Sequence, residues 1–374
     1  MNDIARLRET GVALLASRLC ILGDDPCGGS EVVLWEDARI LESAGIPVRV
    51  YGRAARDGAP VNVIPFRTRK AQLNTIEYVR AFLQYEPEAR ILAYNEPALA
   101  GCAPDRAIVR FDWTTPLPRY WTWPLWLPRF QRARYLFPSE SERQIFLAEH
   151  ARISSPQAVV VTNAVDLELF HPGKRLRPRV STGSLRVGFA GQWIGQKGIE
   201  ELLEAWQALK SALPGCELDL AGGPALWKNV SGVKGAEEIA RRIEQMERRE
   251  LVHCAGALPR SAMPGFWGAV DVAVVPSLYE PFGLVALEAL ACGVPVIASA
   301  VGGLKEIVLD GESGLLVPPG DVSALARALR LLLTDDSLRM RLGVGARLRA
   351  REFSLQRRSS ELLALLEERA VKAA

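Results

Sequence analysis

The amino-acid sequence predicts an α/β chain of two domains, each built on a parallel sheet. Its 374 residues exceed the ~250–300 at which a single hydrophobic core stops growing. Apolar runs of strand length alternate with helical patterns through both halves, the mark of βαβ units. Between the halves, His171 to Ser184 is polar and basic, holds Pro172 and Pro178, and lacks apolar periodicity. These observations predict a linker over 171–184, with domains over 1–170 and 185–353.

In the first half, short apolar runs predict strands over 12–22, 46–51, 90–94, 107–111, 134–137 and 158–162. Helical spacing between them predicts helices near 30–44, 70–84 and 139–150, the first N-capped by Ser30. The second half repeats the theme. Strands over 185–190, 216–221, 251–254, 271–275, 295–298 and 315–317 alternate with helices near 198–212, 236–248, 261–268, 283–292 and 321–334, and two more helices follow. The last of these, Leu355 to Lys372, is amphipathic and reads as a structural brace within 354–374. Open parallel sheets place ligands beyond the carboxyl ends of their strands, and two such ends can face each other across a cleft.

Composition excludes several function classes. With 46 Lys and Arg against 43 Asp and Glu, the net charge is +3, too small to argue for nucleic acid as a partner. The longest apolar stretches are interrupted by Asp271 and Glu288, short of the ~20 residues of a membrane span. The acidic start, Met-Asn-Asp-Ile, lacks the features of a secretory signal. Six dispersed cysteines without a C-x-x-C pair suit a reducing cytoplasm. Three scattered histidines and no Asp-x-Asp pair predict no metal site and no cofactor.

The strongest motif runs from Pro276 to Gly293. Glu280 lies in the loop after strand 271–275, Pro281 and Gly283 open a helix, and the amides of Phe282, Gly283, Leu284 and Val285 are its unpaired first donors, an anion site. Glu288 is the one charge in an otherwise apolar run, and a ligand hydroxyl could satisfy it. The alternative is that Glu280 complements a helix dipole and Glu288 lies on a solvated stripe. A second motif, Val187 to Gly198, carries a strand through Gly191 and Gln192 to Lys197 at the start of the next helix, where a lysine can neutralise phosphate. A solvated lysine on a βα turn is its plainer reading. The third, Cys27-Gly28-Gly29-Ser30, is a glycine pair after the first strand, equally consistent with a tight turn.

Together with Val161-Thr162-Asn163-Ala164-Val165-Asp166 and Ala300-Val301-Gly302-Gly303-Leu304-Lys305-Glu306-Ile307-Val308, these motifs resemble, in order and over nearly the whole chain, the retaining nucleotide-sugar glycosyltransferases of family four, also called group 1 glycosyltransferases. The resemblance implies the GT-B fold: two Rossmann-like parallel-sheet domains facing across a cleft, with the acceptor bound by the first and the donor by the second. It implies a metal-independent, retaining transfer of a sugar from a nucleotide diphosphate, with a UDP-sugar as the first guess, to a hydroxyl of a glycan, glycolipid or small molecule. Donor-binding residues would be Gly28, Gly29, Gly191, Gln192, Lys197, Glu280, Pro281, Phe282, Gly283, Leu284, Val285 and Glu288. Within that set Glu288 would meet ribose, Glu280 a sugar hydroxyl and Lys197 the diphosphate. The family's terminal helix crosses back to the first domain.

Two departures stand out. Gln192 and Gln196 occupy the glycine loop where the family carries arginine. The family's histidine of the first domain is absent from Val109-Arg110-Phe111-Asp112-Trp113, so Asp112 becomes a catalytic candidate, with Arg110 and Trp113 as acceptor-binding candidates. The stretch 110–134 interleaves Trp113, Trp121, Trp123 and Trp126 with arginines, which suits sugar stacking, an anionic acceptor or peripheral contact with the inner face of a membrane; a tryptophan core with a solvated arginine rim is the alternative. The departures also motivate a rival function, a non-catalytic sugar-nucleotide-binding subunit needing a partner; a third reading is another GT-B enzyme such as a sugar-nucleotide epimerase.

Overall fold

The computed structural model describes residues 3–17, 21–22, 28–54, 63–65, 75–112, 127–174, 184–213, 215–224, 235–249 and 252–367. Trp113, Trp121, Trp123, Trp126 and most of the expected linker lie outside the described residues. The chain divides into two compact units, Met1–Asn163 with Gln356–Ala374, and Ala164–Leu355. The division falls at Asn163/Ala164, ahead of the expected 171–184, because residues after it are built into the second unit. Val165 bridges to Ser354, and Phe170 is fully buried among second-unit residues such as Trp267 and Leu290.

The first unit contains α1 (Asp3–Thr10), β1 (Val12–Leu15), β2 (Ile21–Leu22), α2 (Gly29–Ser43), β3 (Val48–Ala54), β4 (Val63–Pro65), α3 (Thr75–Tyr85), β5 (Arg90–Tyr94), α4 (Ala98–Cys102), β6 (Ala107–Arg110), α5 (Leu127–Arg132), β7 (Arg134–Phe137), α6 (Glu140–Glu149) and β8 (Ala158–Val160). Its sheet is parallel, ordered β2-β3-β1-β5-β6-β7-β8, with β4 beside β3. The expected strand 12–22 is two strands, β1 and β2. Strands β1, β5 and β6 are buried on both faces, as parallel strands between helices must be.

The second unit runs β9 (Arg186–Gln192), α7 (Ile199–Lys210), β10 (Glu217–Gly223), α8 (Ala236–Glu247), β11 (His253–Gly256), α9 (Met263–Ala269), β12 (Val272–Val275), α10 (Leu284–Ala291), β13 (Val296–Ser299), α11 (Leu304–Ile307), β14 (Gly314–Val317), α12 (Val322–Thr334) and α13 (Asp336–Ala350). Its parallel sheet is ordered β11-β10-β9-β12-β13-β14. Side chains alternate across it: Val272 and Val274 face a core with Trp206 and Leu329, while Ala273 and Val275 face one with Trp267 and Leu287. The winding direction reverses between β9 and β12. Such a switch point splays the two following loops apart at the carboxyl edge and leaves a crevice there.

The final helix, α14 (Leu355–Glu367), packs on the first unit through a buried charge. Arg358, 1% exposed, pairs with Asp37, 0% exposed; both Asp37 oxygens accept from the guanidinium at 2.8 Å. Tyr94 donates to Asp37 at 2.7 Å, and Arg358 donates to the Thr162 carbonyl at 2.6 Å. Among the described residues, no helix is long and apolar enough to cross a membrane.

Candidate functional site

Three loops of the second unit converge beyond the carboxyl edge of its sheet. The first leaves β9, makes a tight turn over Gly195–Lys197 and enters α7 through Gly198. Gly198 has φ +67, and a β-carbon there would overlap the Pro276 carbonyl of the loop after β12, so glycine is required by both backbone angle and contact. The Leu278 amide donates to the Gln196 carbonyl at 2.9 Å, locking these two loops together. The third loop follows β13: the Gly303 amide donates to the Glu280 carbonyl at 3.0 Å, and a β-carbon on Gly302 would overlap that same carbonyl.

This packing places Lys197 Nζ 2.8 Å from Glu280 Oε2. Ser277 Oγ donates to the same carboxylate oxygen at 3.1 Å. The lysine and glutamate side chains are 30% and 13% exposed, open enough for a ligand to reach and enclosed enough for their charges to be weakly screened. Immediately behind them Gly283, φ +109, caps α10, whose first amides have no carbonyl one turn earlier to bond. The helix starts at Leu284, so Phe282 precedes the cap. Its ring is buried against Phe353, with centroids 6.0 Å apart, and what it can offer a ligand is backbone.

Glu288 lies on α10 and is 6% exposed. Contrary to the expectation of a lone carboxylate, Arg260 Nη1 is 3.0 Å from its Oε1, and the Arg260 guanidinium lies 5.4 Å from the Phe170 ring centroid. Burial pushes the Glu288 carboxyl above its ordinary range, with Arg260 and the Trp267 indole opposing that rise. Arg260 was not legible as a site residue, because its partner is 28 positions away; its place just after β11, at a strand's carboxyl end, is the one signal available.

In the first unit, Gly28, not Ser30, caps α2. The Gly28 amide donates to the Glu31 carboxylate, one arm of a capping box. Arg110, at the end of β6, is fully buried. Its Nε donates to Asp112 Oδ1 at 2.6 Å, and its Nη2 donates to Asn163 Oδ1. Asn95, just after β5 at φ +54, accepts from the Asp112 amide at 2.9 Å, and its Nδ2 donates to Asp112 Oδ2 at 3.4 Å. Arg110 thus supports Asp112 from a fully buried position. Asn95 and Asn163 were not singled out by sequence; an asparagine at a strand end, tolerant of positive φ, was the available signal. Among the described residues, no group of three or more His, Cys, Asp or Glu side chains is placed to hold a metal ion.

Residues 176–349 match the family described as glycosyl transferases group 1. That span holds all three converging loops, Lys197, Glu280, Arg260 and Glu288. It is the second unit, Ala164–Leu355, that carries this similarity. The D-inositol 3-phosphate glycosyltransferase of Saccharomonospora viridis is 36% identical over 232 residues, 58% of this chain and 51% of that protein. The chain thus spans about half the length of the curated relatives it matches. Among solved structures, sucrose-phosphate synthase from Thermosynechococcus elongatus superposes with a TM-score of 0.75 at 24% identity, covering 95% of this chain and 98% of that one. Anabaena HepE, solved with UDP and glucose, gives 0.70 at 20% identity, covering 96% and 100%. These likenesses establish the fold as GT-B, α/β with two parallel-sheet units.

Proposed function

We propose that the chain transfers a sugar from a nucleotide-diphosphate sugar to a hydroxyl acceptor, with retention of configuration and without a metal ion. The observation that carries this reading is the Lys197–Glu280 pair at the start of α10, held by three interlocked loops. Lys197 and the first α10 amides neutralise the diphosphate, and Glu280 accepts a hydrogen bond from a sugar hydroxyl. Gly191 and Gln192 end β9, ahead of the turn that carries Lys197. The acceptor oxygen forms a bond to the anomeric carbon as the bond to the diphosphate oxygen breaks. The electron pair leaves with that oxygen, which takes the acceptor's proton, so no protein nucleophile is needed. Positive charge fixed at the leaving group favours the transition state over the ground state.

UDP is the first candidate nucleotide, a choice supported by the UDP bound to HepE. The acceptor hydroxyl belongs to a glycan, glycolipid or small molecule, and the inositol phosphate in the name of the Saccharomonospora relative favours a polyol. Asp112, steadied by Arg110 and Asn95, is the first unit's candidate for orienting that hydroxyl. Product analysis with UDP-sugar, GDP-sugar and ADP-sugar panels tests the reading. A transferase releases nucleotide diphosphate in proportion to glycosylated acceptor; a binding subunit releases none, and an epimerase alters the sugar without transfer.

Two expected outcomes follow from the site. Because Lys197 and helix amides supply the positive charge, turnover should survive EDTA; loss of activity that magnesium or manganese restores would refute this account of the leaving group. Glu288 meets the ribose hydroxyls in this reading. Glu288→Gln removes a charge-assisted hydrogen bond worth ~1.5–3 kcal/mol, so calorimetry should show nucleotide and nucleotide-sugar weakened alike, by roughly 10- to 100-fold.

A further inference from the structure

Glu288 poses a physical problem that its role in ribose binding does not by itself solve. A carboxylate this far from water favours its protonated form, and a neutral acid is a weaker acceptor for hydroxyl groups than a carboxylate. Arg260 is placed to counter that tendency. It begins the short turn Arg260–Ala262 that leads into α9, and its Nη1 lies 3.0 Å from Glu288 Oε1 while its side chain remains 23% exposed. Its guanidinium also lies 5.4 Å from the centroid of Phe170, a ring that is fully buried. The cation is therefore clamped between a ring face and a carboxylate at the solvent edge of the site. A carboxylate has about four lone-pair directions; the observed bond to Arg260 uses one and leaves room for two hydroxyls.

The other elements packed on α10 do not offer a substitute. Strands β12 and β13 contribute only Val, Ala, Ile and Ser, and α9 reads Met-Pro-Gly-Phe-Trp-Gly-Ala, with no charge. Helix α11 brings Lys305 and Glu306, the latter with its carbonyl bonded by Arg349 of α13. From α13, Arg347 donates to the Ala291 carbonyl at 2.7 Å, at the far end of α10, where the neighbouring titratable group is the buried thiol of Cys292.

We propose that Arg260 is a positioning residue of the nucleotide site: braced on Phe170, it keeps the Glu288 carboxylate charged and turned toward the ribose hydroxyls, and so sets how nucleotide affinity depends on pH. This rests on the assignment of Glu288 to ribose. The sign follows from linkage. Binding needs the ionised carboxylate, so affinity falls as pH drops through the carboxyl pKa of the free protein, and removing Arg260 moves that fall to higher pH.

The test is calorimetric titration with UDP, and with GDP and ADP alongside, across a pH series, for wild type, Arg260→Met, Arg260→Gln, Arg260→Lys, Glu288→Gln and the double variant Arg260→Met/Glu288→Gln. Each protein is first checked for cooperative unfolding, and Arg260→Gln or Arg260→Lys serves if Arg260→Met does not fold. Arg260→Met and Arg260→Gln should move the fall in nucleotide affinity to higher pH than in wild type, with about ten-fold further loss for each pH unit below the variant's carboxyl pKa, and recover toward wild type as pH rises. Arg260→Lys should keep the wild-type profile. Glu288→Gln should be flat relative to wild type over this range, and adding Arg260→Met to it should introduce no new pH dependence. Wild-type affinity and profile for Arg260→Met would overturn the proposal, as would an equal loss at every pH on both backgrounds, which would make Arg260 a direct ligand contact. Wild-type binding by Glu288→Gln overturns the ribose assignment itself, a result separable from failure at Arg260.

Discussion

Replacing Lys197 with Met is expected to lower kcat by about 10²- to 10³-fold, the cost of removing one preorganised group that stabilises developing charge. Glu280→Gln is expected to lose turnover on a similar scale while free nucleotide binds nearly as in wild type, because the sugar hydroxyl proposed as its partner is absent from the nucleotide. The geometry makes these two effects interdependent. Lys197 Nζ and Glu280 Oε2 are 2.8 Å apart, so either single change leaves the partner's charge misdirected, and the double variant Lys197→Met/Glu280→Gln should lose far less than the product of the single losses. Initial rates on variants shown to be folded, beside nucleotide titrations, decide the matter. A structural ion pair with no catalytic part predicts the reverse: a change confined to the unfolding midpoint, and unchanged kcat.

The second unit was the more legible one for a physical reason. Its strands β12 and β13 are buried along their whole length and so read as continuous apolar runs, and β12, Val272–Val275, stands where 271–275 was expected. Periodicity failed where an element is too short to show a period: α4 has five residues, α5 six and α11 four. It also failed over 12–22, since apolarity continues after the chain has left β1. The switch-point residues were legible because their chemistry is local in sequence, a lysine before one helix and a glutamate before another. Their partners were not. Arg260 meets Glu288 from 28 positions away, Asn163 meets Arg110 from 53 positions away, and no pattern within a single element encodes such pairings. Arg110 shows the same limit from the other side: an arginine beside an expected cleft reads as a ligand contact, and only the fold reveals that it is buried beneath Asp112.

Arg358 is the most distant of these hidden partners, 321 residues from Asp37, and its loss should have the largest effect on stability. Arg358→Met leaves Asp37, fully buried, with the Tyr94 hydroxyl at 2.7 Å as its remaining bonded partner in this cluster. Breaking a buried pair by removing one member costs ~3–5 kcal/mol because the other charge stays behind uncompensated. The two units need not unfold together, and a two-domain chain is not expected to be two-state, so the loss should appear in the transition of the first unit. Urea denaturation followed by a first-unit probe should move to lower denaturant, while the transition of the second unit, and the nucleotide binding proposed for it, should stay close to wild type. Removing both charges separates the pair from its desolvation: Arg358→Met/Asp37→Leu should recover much of the loss, since apolar replacement of a buried ion pair is often neutral. Tyr94 would then keep an unpaired hydroxyl, worth about 1–3 kcal/mol, which sets the expected ceiling on recovery. An unfolding midpoint for Arg358→Met equal to wild type would show that α14 is held to the first unit by its apolar face, Leu362, Leu365 and Leu366, and not by the buried charge.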